Sequence, residues 1–422
     1  MVKKTKLKNG LNLITAPLKE TKAVTVLVLV PVGSRYESKD LNGVSHFIEH
    51  LMFKGTVKRP TSLDLTRELD AVGAEYNAFT AKDHTGYYIK VSREHLELAF
   101  DILSDMLFNS KFDGQEIDKE RGVIIEEINM YHDNPLLLLA SIFEQTVFGD
   151  HPLGRLISGP KEVIQKVSRQ KILAFKNNFY QAKNLVLAVS GNITRRQVSQ
   201  LADKYFSYSG TRHSNRSYQR LKINQSKPQL NLVYRSSSQV QLGLGFLAYS
   251  FKNTKIYPLY LLSVILGGNM SSRLFLEVRE RRGLAYFVKS DVSAYEDVGT
   301  LMIQAGLDKA RIKQAIEVIL AELRKLKDHG VSAKELNNAK EFLKGKMVLD
   351  LEDSEHIADW YAKQKLFFNN LDSPEERLKK IFAVSKKQVL QVANDLIKKS
   401  HLNLVLIGPF KNKQEFIKIL DI

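Results

Sequence analysis

Alternating apolar and polar positions divide the chain into short strands and longer amphipathic helices. Residues 5–17 read as a hairpin turning at Asn9-Gly10, and 22–31 (KAVTVLVLVP) as a buried strand. Thr61 opens a helix with Asp64 completing a capping box, and Gly73 closes it. Two strand-like runs follow at 74–80 and 84–91. A helix then runs from Ser92 to about Asn109, and a second, capped by Asp113, reaches about Tyr131. Further helical segments around 135–148, 160–167 and 169–180 lead to a strand at 184–191 and a helix begun by Thr194.

The second half repeats this order. Strands at 229–235 and 240–248 precede helices, two more strands at 285–295 and 298–307, and long helices. The pair 309–328 and 333–350, the latter opened by the capping box Ser332 to Glu335, occupies the place of 93–109 and 114–131. Leu402-Asn403-Leu404-Val405-Leu406-Ile407-Gly408 echoes Asn184-Leu185-Val186-Leu187-Ala188-Val189-Ser190-Gly191, about 218 residues earlier. The expected architecture is a duplicated α+β fold, an α/β sandwich in which each of two homologous domains is a mostly antiparallel sheet packed by helices. The domains span 1–208 and 229–422, joined by a linker at 209–228 rich in Ser, Arg, Asn and Gln.

Composition narrows the chemistry. At 422 residues the chain has room for two substantial cores, and 44% hydrophobic with 26% charged residues is ordinary for a globular protein. The net charge of +17 is spread over helices that also carry Glu and Asp, which reads as solvated helix faces and predicts no nucleic-acid partner. The absence of Cys removes disulfides, thiolate metal sites and a thiol nucleophile, so any metal must be held by His and carboxylate. The amino-terminal stretch passes directly into a strand pattern, with neither a signal-like nor a membrane-spanning run. The expectation is a cytoplasmic protein without a membrane partner.

The candidate chemistry lies in Gly43-Val44-Ser45-His46-Phe47-Ile48-Glu49-His50-Leu51. On a helix, His46 and His50 share one face with Glu49 beside them. Two imidazoles one turn apart can grip one zinc ion, and a neighbouring carboxylate can take a proton from water. The bland alternative is a helix with two buried, hydrogen-bonded histidines. A third ligand decides between them, and residues 115–128 supply candidates. At 100° per residue Glu127 falls within about 20° of Glu120, beside the apolar row Ile117, Ile124 and Ile128, whereas Glu126 points about 120° away. Glu127 is therefore the expected ligand and Glu120 a supporting carboxylate.

These residues carry a resemblance. The chain is similar to the pitrilysin-type zinc peptidases, whose inverted H-x-x-E-H motif is followed after about 76 residues by a ligand Glu, with another Glu seven residues before it. His46, Glu49, His50, Glu127 and Glu120 match position by position, and Gly33-Ser34-Arg35 and His151-Pro152-Leu153-Gly154 extend the likeness. It is strongest to the short two-domain bacterial members that look like processing peptidases. The resemblance implies a zinc-dependent endopeptidase acting on short or unfolded polypeptides, with one zinc per chain held by His46, His50 and Glu127. In that role Glu49 is the general base and Glu120 supports a ligand.

It also implies roles for residues that a bare reading leaves open. Asn77-Ala78-Phe79-Thr80 matches an edge strand along which a substrate peptide lies, with Asn77, Ala78 and Phe79 as the substrate-binding residues. Arg279 and Tyr286 match a pair that reaches the substrate carbonyl, although on their own they read as a surface ion pair and an edge aromatic. Family members form a clamshell of four α/β domains with zinc and the Arg/Tyr pair on opposite halves. A two-domain chain carrying both motifs is thus expected to act as a homodimer. The alternative within the same fold is a catalytically silent assembly subunit.

Overall fold

The computed structural model describes residues 2–207, 217–222, 224–368 and 370–421. In chain order the first half contains β1 (Lys3–Lys6), β2 (Asn12–Pro17), β3 (Ala23–Val30), α1 (Val44–Leu51), α2 (Ser62–Asp70), β4 (Glu75–Thr80), β5 (Thr85–Ser92), α3 (Leu96–Asn109), α4 (Gly114–Asp133), α5 (Pro135–Phe148), α6 (Lys161–Lys166), α7 (Arg169–Phe179), β6 (Val186–Gly191) and α8 (Arg195–Tyr205). The second contains β7 (Gln229–Tyr234), β8 (Gln239–Ala248), α9 (Ile256–Gly267), β9 (Ala285–Ala294), β10 (Gly299–Asp308), α10 (Ile312–His329), α11 (Ala333–Asp350), α12 (Ser354–Phe367), α13 (Pro374–Phe382), α14 (Lys386–Leu396), β11 (Asn403–Gly408) and α15 (Gln414–Ile417). Of the linker expected at 209–228, residues 209–216 and 223 lie outside the described residues, and the rest carries neither helix nor strand.

The repeat is visible in the strand order. The first sheet runs β1-β2-β6-β3-β5-β4 and the second β7-β11-β8-β10-β9. In each, one parallel pair (β2 with β6, β7 with β11) joins an otherwise antiparallel ladder. The chain has the mixed helix-and-sheet, two-domain architecture expected from its patterning.

The two compact units are not contiguous in sequence. The first takes 1–129, 155–219 and 347–372, and the second takes 130–154, 220–346 and 373–422. This exchange explains why β3 has no polar face. On one side Val26, Val28 and Val30 join Phe47, Ile48 and Leu51 of α1 and Phe100 and Leu103 of α3. On the other, Leu27 and Leu29 join Ile357, Ala358, Tyr361 and Ala362 of α12. A strand buried on both faces reads as a continuous apolar run rather than an alternating one. In the second unit α5 does the corresponding work, setting Leu139, Phe143 and Val147 against Leu247, Met302, Val405 and Ile407. Among the described residues, no helix is long and apolar enough to cross a membrane.

Candidate metal centre

The site is built on two turns of helix. Val44, Phe47, Ile48 and Leu51 fill the apolar side of α1, which turns His46 and His50 toward α4. On α4, Ile117, Ile124 and Ile128 are buried and hold the helix in register, so that Glu120 is buried with them and Glu127 sits half-buried at the edge of the stripe. Glu126 is exposed and bonds only locally, to Asn129.

Three donor atoms converge. His46 Nε2 and His50 Nε2 are 3.2 Å apart, and Glu127 Oε2 lies 3.5 Å from each. Ligands at zinc's usual bond lengths on a tetrahedral centre sit about 3.4 Å from one another. The triangle therefore fits one small divalent cation with a fourth position open. Among the described residues this is the one group of three or more His, Cys, Asp or Glu side chains close enough to share a metal ion.

The electrostatics match that geometry. Burial, followed by the charge of His50, pushes His46 down to about 4. Burial also works against a charged His50, but the hydrogen bonds and charges of Glu120 and Glu127 outweigh it and raise His50 to about 9. The hydrogen bond to His50 holds the Glu127 carboxyl below its ordinary value. Burial pushes Glu120 up, and its bonds to His50 and Lys54 more than reverse the shift. The Glu127 carboxylate and a neutral His46 thus meet His50 at a point that favours positive charge, with Glu120 behind His50, and a metal ion binding there would displace a proton.

Glu49 lies beside the triangle on α1. Burial lifts its carboxyl above the ordinary range, opposed by the Thr80 hydroxyl, which donates to Oε2 at 2.5 Å. The fields of His50 and Glu127 both reach it.

Thr80 ends β4, the edge strand of the first sheet. The side chains of Tyr76, Ala78 and Thr80 face α1, whereas Phe79 turns to the opposite face and packs with the α12 cluster. The Ala81 N–H bonds to His84 O, which fixes the alternation of the hairpin. Asn77 and Phe79 direct their main-chain groups to β5, and Tyr76, Ala78 and Thr80 direct theirs outward. Of the three expected strand residues, only Ala78 offers its backbone at the open edge. There the Ala78 N–H donates to Asn77 Oδ1 at 2.9 Å, a local bond that a pairing peptide would replace.

Arg279 and Tyr286 belong to the second unit and lie close together there. The Arg279 guanidinium sits 5.9 Å from the Tyr286 ring centre and 4.9 Å from that of Phe275. Arg279 sits on a π-helical turn, Phe275–Glu280, with Arg281 N bonding Leu276 O. Such turns recur at functional sites because they push a side chain outward. Tyr286 is 76% exposed.

Two residues and one contact escaped the sequence reading. Lys54 places Nζ 2.6 Å from Glu120 Oε2, and its place four residues after His50 was the available signal. Thr80 lies in the expected edge strand, but its bond to Glu49 was not foreseen; period-2 alternation from Ala78 was the available signal. Glu37 left no local signal. Its buried carboxylate reaches across the following loop to accept from Gly43 N and Ser45 N, both at 2.7 Å, and from Asn42 Nδ2 at 3.0 Å. It thereby caps α1, whose own N-cap Gly43 sits at φ +100° and has no side chain to offer.

Comparison with known proteins agrees with this picture. Residues 13–161 match the family described as Insulinase (Peptidase family M16), and 166–343 match Peptidase M16 inactive domain. The chain is 33% identical to the uncharacterized zinc protease YmxG of Bacillus subtilis, covering 98% of this chain and 99% of that one. It is 34% identical to an uncharacterized zinc protease of Streptomyces coelicolor over 98% and 91% of the two chains. Among solved structures, a protease from Helicobacter pylori superposes with a TM-score of 0.91 at 26% identity, covering 97% and 99%.

Proposed function

Because this chain belongs to the peptidase M16 family, we propose that it is a zinc-dependent endopeptidase that cuts short or unfolded polypeptides. The observation carrying this reading is the near-equilateral triangle of His46 Nε2, His50 Nε2 and Glu127 Oε2, with Glu49 at its side. An ion bound there supplies Lewis acidity toward a carbonyl and makes water a usable nucleophile near neutral pH.

The chain's own residues do the rest. Glu49 takes the proton of the attacking water on a carboxylate oxygen and returns it to the leaving amine nitrogen. Glu120, accepting from His50 Nδ1, fixes the ring with Nε2 toward His46 and Glu127, where it would hold an ion. The outward backbone of β4 pairs with an extended peptide, so recognition rests on main-chain hydrogen bonds and tolerates many sequences. Arg279 and Tyr286 supply donors to the oxyanion that forms on the scissile carbonyl. We further propose a homodimer in which those two residues act in trans, since each chain carries both motifs but only two of the four domains that this arrangement requires.

Metal analysis together with a peptide-cleavage assay tests the reading. The expected result is one zinc per chain, activity lost on chelation and regained with zinc, and neither metal nor activity in Glu127→Gln. A zinc-loaded wild type that cuts no unfolded peptide would instead favour the silent-subunit reading.

A further inference from the structure

We infer that Thr80 is a positioning residue that ties the general base to the strand receiving the substrate; this rests on the peptidase reading above. Its side chain and main chain face two different tasks. Oγ1 donates to Glu49 Oε2 at 2.5 Å, while the ladder alternation turns its N–H and C=O to the open edge of β4.

The backbone at this point is held firmly. Ala81 N bonds to His84 O at 2.8 Å, and Ser34 N bonds to Ala81 O at 3.2 Å. Gly33 approaches so closely that an added Cβ would lie 2.1 Å from Ala81 O. Opposite Thr80, the Thr85 hydroxyl is tied to Val32 O at 2.8 Å. The Thr80 hydroxyl is therefore a fixed donor, whereas Glu49 reaches it on a side chain with three rotatable bonds.

Holding Oε2 leaves Oε1 as the oxygen that meets the water proton. A peptide paired with the Thr80 backbone and a carboxylate bonded to the Thr80 side chain share one frame, so base and scissile bond keep their spacing as the chain binds. Displacement of a reacting group by about 1 Å costs on the order of 100-fold in rate, which sets the scale of the effect.

The test compares wild type, Thr80→Val and Thr80→Ser as zinc-loaded full chains. Thr80→Val is expected to lower kcat about 10- to 100-fold with KM within about twofold, and zinc affinity measured by competition should not change. Thr80→Ser, which keeps the hydroxyl, should recover most of the loss. Crystal structures supply a readout independent of turnover. Glu49 should adopt one conformer in wild type and Thr80→Ser and several in Thr80→Val.

An unchanged kcat in Thr80→Val, a serine variant as impaired as the valine, a parallel loss of zinc affinity, or a Glu49 fixed equally well without the hydroxyl would each overturn the assignment. An inactive zinc-loaded wild type with Glu49 well ordered on Thr80 would overturn the peptidase reading instead.

Discussion

His50 and Glu120 form a bonded pair, with Nδ1 and Oε1 2.8 Å apart, and the second oxygen of Glu120 rests 2.6 Å from Lys54 Nζ. The carboxylate is buried between the imidazole and the ammonium, which fixes the tautomer of His50 and keeps Nε2 aimed at His46 and Glu127. Removing its charge without changing its shape should loosen the metal while leaving the fold intact. Glu120→Gln is expected to weaken zinc binding about 10- to 100-fold, measured with a fluorescent chelator. An affinity equal to wild type would show that the pair does not tune the ligand.

The remote cap on α1 predicts a stability effect. Glu37→Ala leaves two helix N–H groups and the Asn42 amide without their acceptor inside the protein. Losing one such buried partner costs about 1–3 kcal/mol, so the first urea transition should shift by at least that much. A shift below about 0.5 kcal/mol would mean that water replaces the carboxylate.

A pH effect is expected from the second unit, far from any metal ligand in sequence. The Glu335 carboxyl is held at about 2. Burial pushes it up, but the Arg273 fork at 2.6 and 3.1 Å and the Ser332 N–H and hydroxyl outweigh that. A depressed carboxyl contributes its full stabilisation above its ordinary value near 4.5, and that contribution drains away as pH falls toward 2. Glu335→Gln should therefore be less stable than wild type at pH 7, with the gap in urea midpoint narrowing between pH 4.5 and 3. A gap of constant size over that range would remove the Arg273 pair as its cause.

Mixing inactive chains addresses the proposed dimer. Glu49→Gln lacks the proposed base and Tyr286→Phe the proposed carbonyl donor. If the donor comes from the partner, a mixed dimer contains one site with both groups intact. Equimolar mixing should restore about a quarter of wild-type activity, because random exchange makes half the dimers mixed and each has one working site. Activity no higher than the sum of the separate variants would reject contribution in trans.

Much of the candidate site was legible because helix geometry is local. The four-residue spacing of His46 and His50 and the preference for Glu127 over Glu126 follow from 100° per residue, and α1 and α4 bring His46, His50 and Glu127 together. The strand pattern likewise anticipated the doubled, mostly antiparallel sheet, but not the one parallel pair that each half carries. What the pattern could not carry was non-local. The Glu37 carboxylate crosses a loop to reach its donors, and no capping template extends that far. The choice of Ala78 over Asn77 and Phe79 as the outward backbone depends on where the hairpin closes, at Ala81 and His84. The continuous apolar run of β3 announced burial without saying that α12, more than 300 residues later, supplies half of it.

That long return has a consequence for synthesis. As the polypeptide leaves the ribosome, the first sheet can assemble once β6 has emerged, yet the face formed by Ile14, Leu27, Leu29 and Ala188 has no cover until Tyr361 and Ala362 arrive. Conversely, α5 is made before any strand of the sheet it serves, and must wait for β11 near the carboxyl end. Neither half can therefore finish maturing alone. A nascent chain stalled between them carries an adhesive patch that a chaperone is well placed to shield.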